Sequence, residues 1–540
     1  MPRPDGVSGP DGSHPSGPPA VVRSTTVQPR RPASASATRA VIVSVVGFVV
    51  CATFAATPGS PFQPVLPQGA QPQGPLTWLA KFIGFDALTG NWLIAAGVAS
   101  TILAVVGFLM VLREAYRGTI SLRTVTVLAV AYHVAVFLLP LLFSRDVYSY
   151  AFYGRIVGIY HQNPYVHTPV EFAGDSLWPL VGPKWVDTPA VYGPLFTSLS
   201  GGIARVTTSP SSQVTAYRLL TVLASLATLA MILVTAERVR PGRVTFAAAA
   251  YGLNPVVLFL AVGSGHNDVL VALSIIGAVA LLTSRREMWA VAVLALGALV
   301  KATAVLPLVL VIVWCVARRP KGERMRAFAS HAGLAVGIGL VFGLPYLQTH
   351  DPTLGMLELA GHTGWLAPSV FVEKVVDFFS FGTLGWLARV GFAITLLVSI
   401  IELARTVAAR SSAGDAIEEL TAAIGWSLVF LMLLGPVLLP WYVVWALPVV
   451  WLLPRAPRAT VITAGAALAL AQWSTEPLRY PDAFNLNLWL GHWVVTPVMF
   501  VMVIWSLVDL RRRIHARLPL EESEPIPAEA RQDAGDRRTP

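Results

Sequence analysis

Charge is what this chain has least of. Asp, Glu, Lys and Arg make up 13% of its 540 positions, against about 25% in ordinary soluble domains. So few charges cannot coat the surface of a water-soluble protein of this length, although length alone would suggest three or four soluble domains. Cysteine is scarcer still. The only two, Cys51 and Cys315, each lie in an apolar run, which excludes a disulfide scaffold, and the topology derived below directs them to opposite membrane faces, which argues against a bridge between them. Also missing is a basic stripe interleaved with aromatics outside the apolar segments, so the net charge of +10 and a pI near 9.8 give no sign of a nucleic-acid partner. No phosphate-cradling P-loop occurs either.

What is present is apolar. Hydrophobic residues account for 55% of the chain, mean hydropathy is +0.64, and uncharged runs repeatedly approach the ~20 residues that span a bilayer. The expected class is an all-α polytopic membrane protein embedded in a lipid bilayer.

Residues 1–38 are rich in Pro, Ser, Gly and Arg, and 511–540 are similarly polar. Neither can bury enough apolar surface to offset chain entropy, so both are expected to be disordered tails flanking a membrane domain over 39–510. Hydropathy marks fourteen candidate spans: 40–57, 92–112, 124–143, 214–236, 244–262, 269–283, 288–301, 303–317, 328–347, 383–404, 420–439, 441–454, 459–475 and 492–510. Several are short, notably the pair flanking Lys301 and Ala302, and read as broken or partial helices, which leaves a bundle of about 12–14 crossings. The stretch 191–206, interrupted by Gly and Pro, reads as an interfacial or re-entrant helix. The first run, 40–57, has a 39-residue leader and thirteen spans after it, which favours a retained helix over a cleaved signal.

Basic residues test the orientation. If the N-terminus is cytoplasmic, the inner segments carry 29 of the 39 Lys and Arg residues, the asymmetry expected of cytoplasmic loops. Both termini are therefore expected inside, with outer loops at 144–213 and 348–382, and the basic pI is accounted for.

In so apolar a chain, ionisable groups at membrane depth or gathered on one face are candidates for function. They collect on the expected outer face. Arg145 and Asp146 follow the third span directly, with Tyr148 and Arg155 close behind. Asp146 could pair with Arg145 or Arg155, or cap the next helix, and the tyrosines could be belt residues. The same face carries the turn Ser264–Asp268, with His266, Asn267 and Asp268, then Lys301, His362, and Trp441 with Tyr442 after Pro440. The turn is poor as a metal site, since one His and one Asp two residues apart lack the ligand number of a zinc motif. Helix capping by Asn267 or Asp268 is a plainer explanation, and binding of sugar hydroxyls or a phosphate is the functional one. Lys301 interrupts a long apolar stretch. It either snorkels to the interface or anchors an anion such as phosphate. The sixteen tryptophans are mostly explained by interfacial belts.

A carboxylate beside cations and aromatics at the mouth of a helix bundle suits glycosyl transfer from a polyprenyl phospho-sugar. The acceptor hydroxyl must lose a proton while positive charge builds on the anomeric carbon, and Asp146 can serve as the base. The departing phosphate is already acidic. It needs cations rather than a general acid, for which Arg155, Lys301 and His266 are candidates. No cofactor is required, and a divalent metal is possible without being indicated.

The segments SRDVYSY, GRIVGIYHQNPY, KWVDTPAVYGPL, LNPVVLFLAVGSGHNDVL and ALVKATAVLPL together resemble the polyprenol-phosphomannose-dependent alpha-(1→6)-mannosyltransferases, a branch of the GT-C membrane glycosyltransferases. The resemblance runs from about residue 40 to 510. It implies a GT-C-type bundle, a polyprenyl-phosphate-mannose donor, a mannan or lipomannan acceptor, inversion at the anomeric carbon, and Asp146 as catalytic base. It also implies that Asn163, Pro164 and Tyr165, Tyr192–Pro194, His266–Asp268 and Lys301 line the site. Unlike GT-C members with a large C-terminal carbohydrate-binding domain, this chain ends in a short polar tail, so loops such as 348–382 would grip the acceptor. Two other readings remain: a GT-C transferase for another lipid-linked sugar such as arabinose, and a lipid or solute transporter, which many spans and an embedded Lys also fit.

Overall fold

The computed structural model describes residues 34–67, 74–207, 209–347, 354–356, 364, 366–412, 416–471 and 480–522. Among them there is no strand, and the chain is an all-α polytopic membrane protein. Of the expected outer loop 348–382, residues 348–353, 357–363 and 365, His362 among them, lie outside the described residues.

The chain opens with α1 (Ala35–Ala56), whose first turn is held by Ser34 Oγ accepting from the Ala37 N–H at 3.2 Å. After the short α2 (Thr77–Ile83) comes α3 (Gly90–Tyr116). It packs along α1 with backbones in contact, because a Cβ on Gly47 or Gly107 would lie 2.6 Å from the facing chain. Next is α4 (Leu122–Phe137), capped by Ser121. Two short helices follow, α5 (Asp146–Gly158) and α6 (Pro194–Val206), packed on each other through Gly154 and Gly158 on one side and Ser200 and Gly201 on the other. The stretch expected to be a re-entrant or interfacial helix is thus the thirteen-residue α6.

Downstream lie α7 (Pro210–Val239), α8 (Val244–Gly252), α9 (Asp268–Thr283), α10 (Glu287–Ala298), α11 (Val305–Ala317) and α12 (Arg324–Gly343). Then come α13 (Pro368–Phe379), α14 (Trp386–Arg410), α15 (Ala416–Leu434), α16 (Arg455–Leu470), α17 (Pro481–Leu490) and α18 (Thr496–His515). Among the described residues, seven helices are long and apolar enough to cross a bilayer, or eight if α8 and the π-helical segment Val256–Val262, bent 42° from it at Asn254–Pro255, form one span.

That is fewer than the fourteen runs read from hydropathy, because α4, α9, α10 and α11 are apolar but only 12–16 residues long and other runs are broken. Residues 288–317 form two helices of 12 and 13 residues around an extended Lys301 (φ −156°, ψ 134°). The run 441–454 is not a helix. It is two 3₁₀ turns, Pro440–Trp445 and Leu447–Val449, because Pro440 and Pro448 stand in their first two positions and neither can donate to a longer α-helical ladder. It reads as a span because it is buried in protein, and irregular backbone survives at membrane depth only in such surroundings.

Packing also extends further along the chain than composition suggests. α18 continues to His515, and residues 518–522 lie against the bundle. Leu520 is fully buried, its N–H donates to Glu419 and its carbonyl accepts from Trp426, while the Glu522 carboxylate is held by Arg243 at 2.9 Å and Arg458 at 2.5 Å. Those arginines neutralise a charge that would otherwise keep the segment in water.

Candidate active site

Three breaks in the helices meet at one end of the bundle: the start of α5, the turn before α9, and the α10–α11 junction together with the facing 3₁₀ segment. Asp146 is the first residue of α5, and its N–H donates to Ser144 Oγ at 3.1 Å. The neighbouring Arg145 guanidinium donates to the carbonyls of Pro179, Leu180 and Val181 at 2.9–3.0 Å, tying down the loop that covers this end. The turn 263–267 approaches α5 so closely that Gly265 is required. Its φ is +71°, and a Cβ there would lie 2.6 Å from the Val147 side chain.

This turn brings His266 to Asp146. The His266 ring is fully buried and stacked on Trp441, centroids 3.7 Å apart, with Nδ1 3.5 Å from Asp146 Oδ2 and 3.4 Å from the Tyr150 hydroxyl. Asp268, first residue of α9, accepts at Oδ1 from both Lys301 Nζ and Trp445 Nε1, each at 2.7 Å. The Lys301 ammonium lies 4.6 Å from the ring centre of Tyr442 and 5.3 Å from that of Trp445, and those two rings stack on each other. Lys301 therefore does not snorkel. Asn267 stands at the N-cap of α9 without making a cap hydrogen bond.

Several polar atoms here are buried without a hydrogen bond in the protein: His266 Nε2, both side-chain heteroatoms of Asn267, and Asp268 Oδ2. Orphaned groups in one place are costly. A hydroxylated ligand can satisfy all of them, and an anion can satisfy the donors, such as Asn267 Nδ2.

Electrostatics separates Asp146 from His266. Burial pushes the Asp146 carboxyl up to about 6, with the Asp268 charge adding to the rise and Ser144, Lys301 and Lys184 opposing it. Its side chain keeps 20% exposure, so solvent or an acceptor can reach it. Burial and the Lys301 charge hold His266 well below its ordinary value. His266 is neutral at physiological pH and does not serve as the cation that its residue type suggested.

The remaining candidates are placed differently. Tyr192 joins the cluster edge-on to Tyr150, with ring centres 4.7 Å apart. Tyr165 and Asn163 support it from behind: the Tyr165 hydroxyl donates to the Tyr192 carbonyl at 2.6 Å, and Asn163 Oδ1 accepts from the Tyr165 N–H at 3.0 Å. Tyr148 is buried in α5. Arg155 lies nine residues along α5, about 13 Å away, where it binds Asp175 at 2.7 Å beside the Tyr160 hydroxyl. That commitment takes it out of the cluster. Hydropathy does not single out Trp445, a tryptophan inside an apolar run. The signal was its spacing, four residues after Trp441.

The profile of a family described as "Alpha-(1->6)-mannopyranosyltransferase, N-terminal domain" matches residues 40–318, the stretch that carries Asp146, the His266–Asp268 turn and Lys301. The chain belongs to this family. It is similar to alpha-(1->6)-mannopyranosyltransferase A of Mycobacterium tuberculosis, at 27% identity over 467 residues, covering 82% of this chain and 86% of that protein. No solved structure matches it. As a member of the family the chain is a membrane glycosyltransferase, a mannosyltransferase. Trp441, Tyr442 and Trp445 lie beyond residue 318, so the family-matched part of this mannosyltransferase carries the cluster's charges and the later part adds its aromatic wall.

Proposed function

We propose that the enzyme moves mannose from polyprenyl-phosphate-mannose onto a mannan or lipomannan acceptor, forming an alpha-1,6 linkage with inversion. The site faces the extracytoplasmic side, and both termini lie in the cytoplasm with the arginine-rich loops. The observation that carries this reading is the convergence of a partly exposed carboxylate, Asp146, with a half-buried lysine, Lys301, in a chain of this family.

Asp146 takes the proton from the attacking acceptor hydroxyl as its oxygen bonds to the anomeric carbon, and the bond from that carbon to the phosphate oxygen breaks. The polyprenyl phosphate leaves as an anion toward Lys301. Its ammonium has three donors, of which Asp268 occupies one. Asp268 is engaged at Oδ1 by Lys301 and Trp445 and is only 1% exposed, so of the two carboxylates in the cluster Asp146 is the one an acceptor can reach to act as base in a single displacement. Arg145, Tyr148, Asn163, Tyr165, Tyr192, His266, Asn267, Trp441 and Tyr442 bind substrate or shape its pocket. Arg155, paired with Asp175, does not meet the phosphate.

The test incubates membranes containing the enzyme with radiolabelled polyprenyl-phosphate-mannose and short mannosides, then determines the linkage of the labelled product. An alpha-1,6-mannoside is expected. A different linkage, or transfer only from a nucleotide sugar, overturns the reading.

The pH profile is a second check. The base must be deprotonated, so kcat/KM should fall about tenfold per unit as pH drops below about 6. A solvated carboxylate would hold its activity down to about pH 4.

A further inference from the structure

At the far end of α10 and α11 from Lys301, three side chains from three helices form a cluster that the transfer reaction does not use. Glu287 begins α10, Cys315 lies near the end of α11, and His331 sits on α12. One donor atom from each lies within 4.8 Å of the other two. Cys315 is fully buried and His331 is 4% exposed.

His331 makes the cluster a site. Its Nδ1 lies 2.7 Å from the Ala327 carbonyl, so that nitrogen carries the proton and Nε2 presents a lone pair. Nε2 is buried, makes no hydrogen bond, and faces the Glu287 carboxylate at 3.8 Å. A lone pair and a carboxylate oxygen held this close repel unless a proton or a metal ion lies between them. A tetrahedral metal with bonds of about 2.0–2.3 Å holds its donors roughly 3.3–3.8 Å apart, so closing the cluster needs a shift of about 1 Å or less at the thiol.

We propose that Glu287, Cys315 and His331 bind one zinc ion, with water in the fourth position. A sulfur, a nitrogen and a carboxylate oxygen are a zinc-type donor set. Binding forms the Zn–S bond and releases the thiol proton to solvent, and the two anionic ligands then neutralise the ion. Arg319 donates to Glu287 at 2.6 Å and orients it, as an outer-shell partner does, while Arg318 and Arg319 flank the site with positive charge that moderates its affinity. The ion pins α12, in which only His331 and Gly343 are buried, to the two helices whose other ends meet at Lys301.

The full chain, purified in detergent and stripped with chelator, is titrated with Co²⁺ as a spectroscopic substitute for zinc. About one equivalent should produce a near-ultraviolet thiolate-to-cobalt band, and Zn²⁺ should abolish it. Cys315→Ser should lose the band, Cys51→Ser should keep it, and His331→Ala should weaken binding at least about tenfold. No band in the monodisperse wild-type protein, or a band that survives Cys315→Ser, overturns the proposal.

Discussion

Asp146→Asn is expected to leave the protein inserted and folded and to reduce mannosyl transfer by about 10²–10⁴-fold, the range general-base catalysis contributes. The amide keeps the size and the hydrogen bond from the Asp146 N–H to Ser144 but cannot take a proton. No neighbour can stand in for it. His266 is a poor substitute, because burial and the Lys301 charge hold its basicity well below the ordinary value and its ring is pinned flat against Trp441. Asp268 is tied to Lys301 and Trp445. The comparison is Asp175→Asn, which removes the partner of Arg155 along α5 and should cost far less activity. Transfer assays on membranes with matched protein levels read both. Near-wild-type turnover in Asp146→Asn would remove the base assignment, whereas an equal collapse in both variants would mean that loop packing had been measured instead of chemistry.

Lys301→Met is expected to be the most damaging single change to the fold. It leaves the Asp268 carboxylate, 1% exposed, without its ammonium partner. Breaking a buried pair by removing one member costs about 3–5 kcal/mol. The Trp445 N–H remains as a donor but brings no charge. Asp268→Asn should cost less, because a lysine with 15% exposure and a long stem can turn toward solvent. The double variant Lys301→Met with Asp268→Asn should recover most of the thermal stability measured in detergent, since no uncompensated charge is left buried. It should not recover transfer if Lys301 receives the phosphate. Recovery of both would make the pair purely structural, and failure to recover stability would show that the two residues are not coupled.

How much of this was visible beforehand differs residue by residue. Asp146 and Lys301 stand out in the sequence because a charge in or beside an apolar run is rare and has few inexpensive explanations. The turn at His266–Asp268 stands out because polar residues crowd a loop of a few positions. Arg155 misled for the opposite reason: its type and its place near Asp146 suit a phosphate ligand, yet nine residues along a helix is too far, and Asp175 was waiting there. Trp445 was hidden, since a tryptophan in an apolar run has no polar signature until its N–H finds a carboxylate.

The run 441–454 shows where hydropathy stops being informative. It measures preference for an apolar surrounding and responds equally to lipid and to protein interior, so a buried, proline-broken segment scores as a crossing. Composition and hydropathy alone determined that the chain is helical and membrane-embedded, because transfer of apolar surface depends on local sequence. Which charges are paired depends on contacts between residues far apart in the chain. Asp268 meets Lys301 across 33 positions and Trp445 across 177. Only the folded bundle decided that His266 is neutral and that one carboxylate remains available, because burial and neighbouring charge set both.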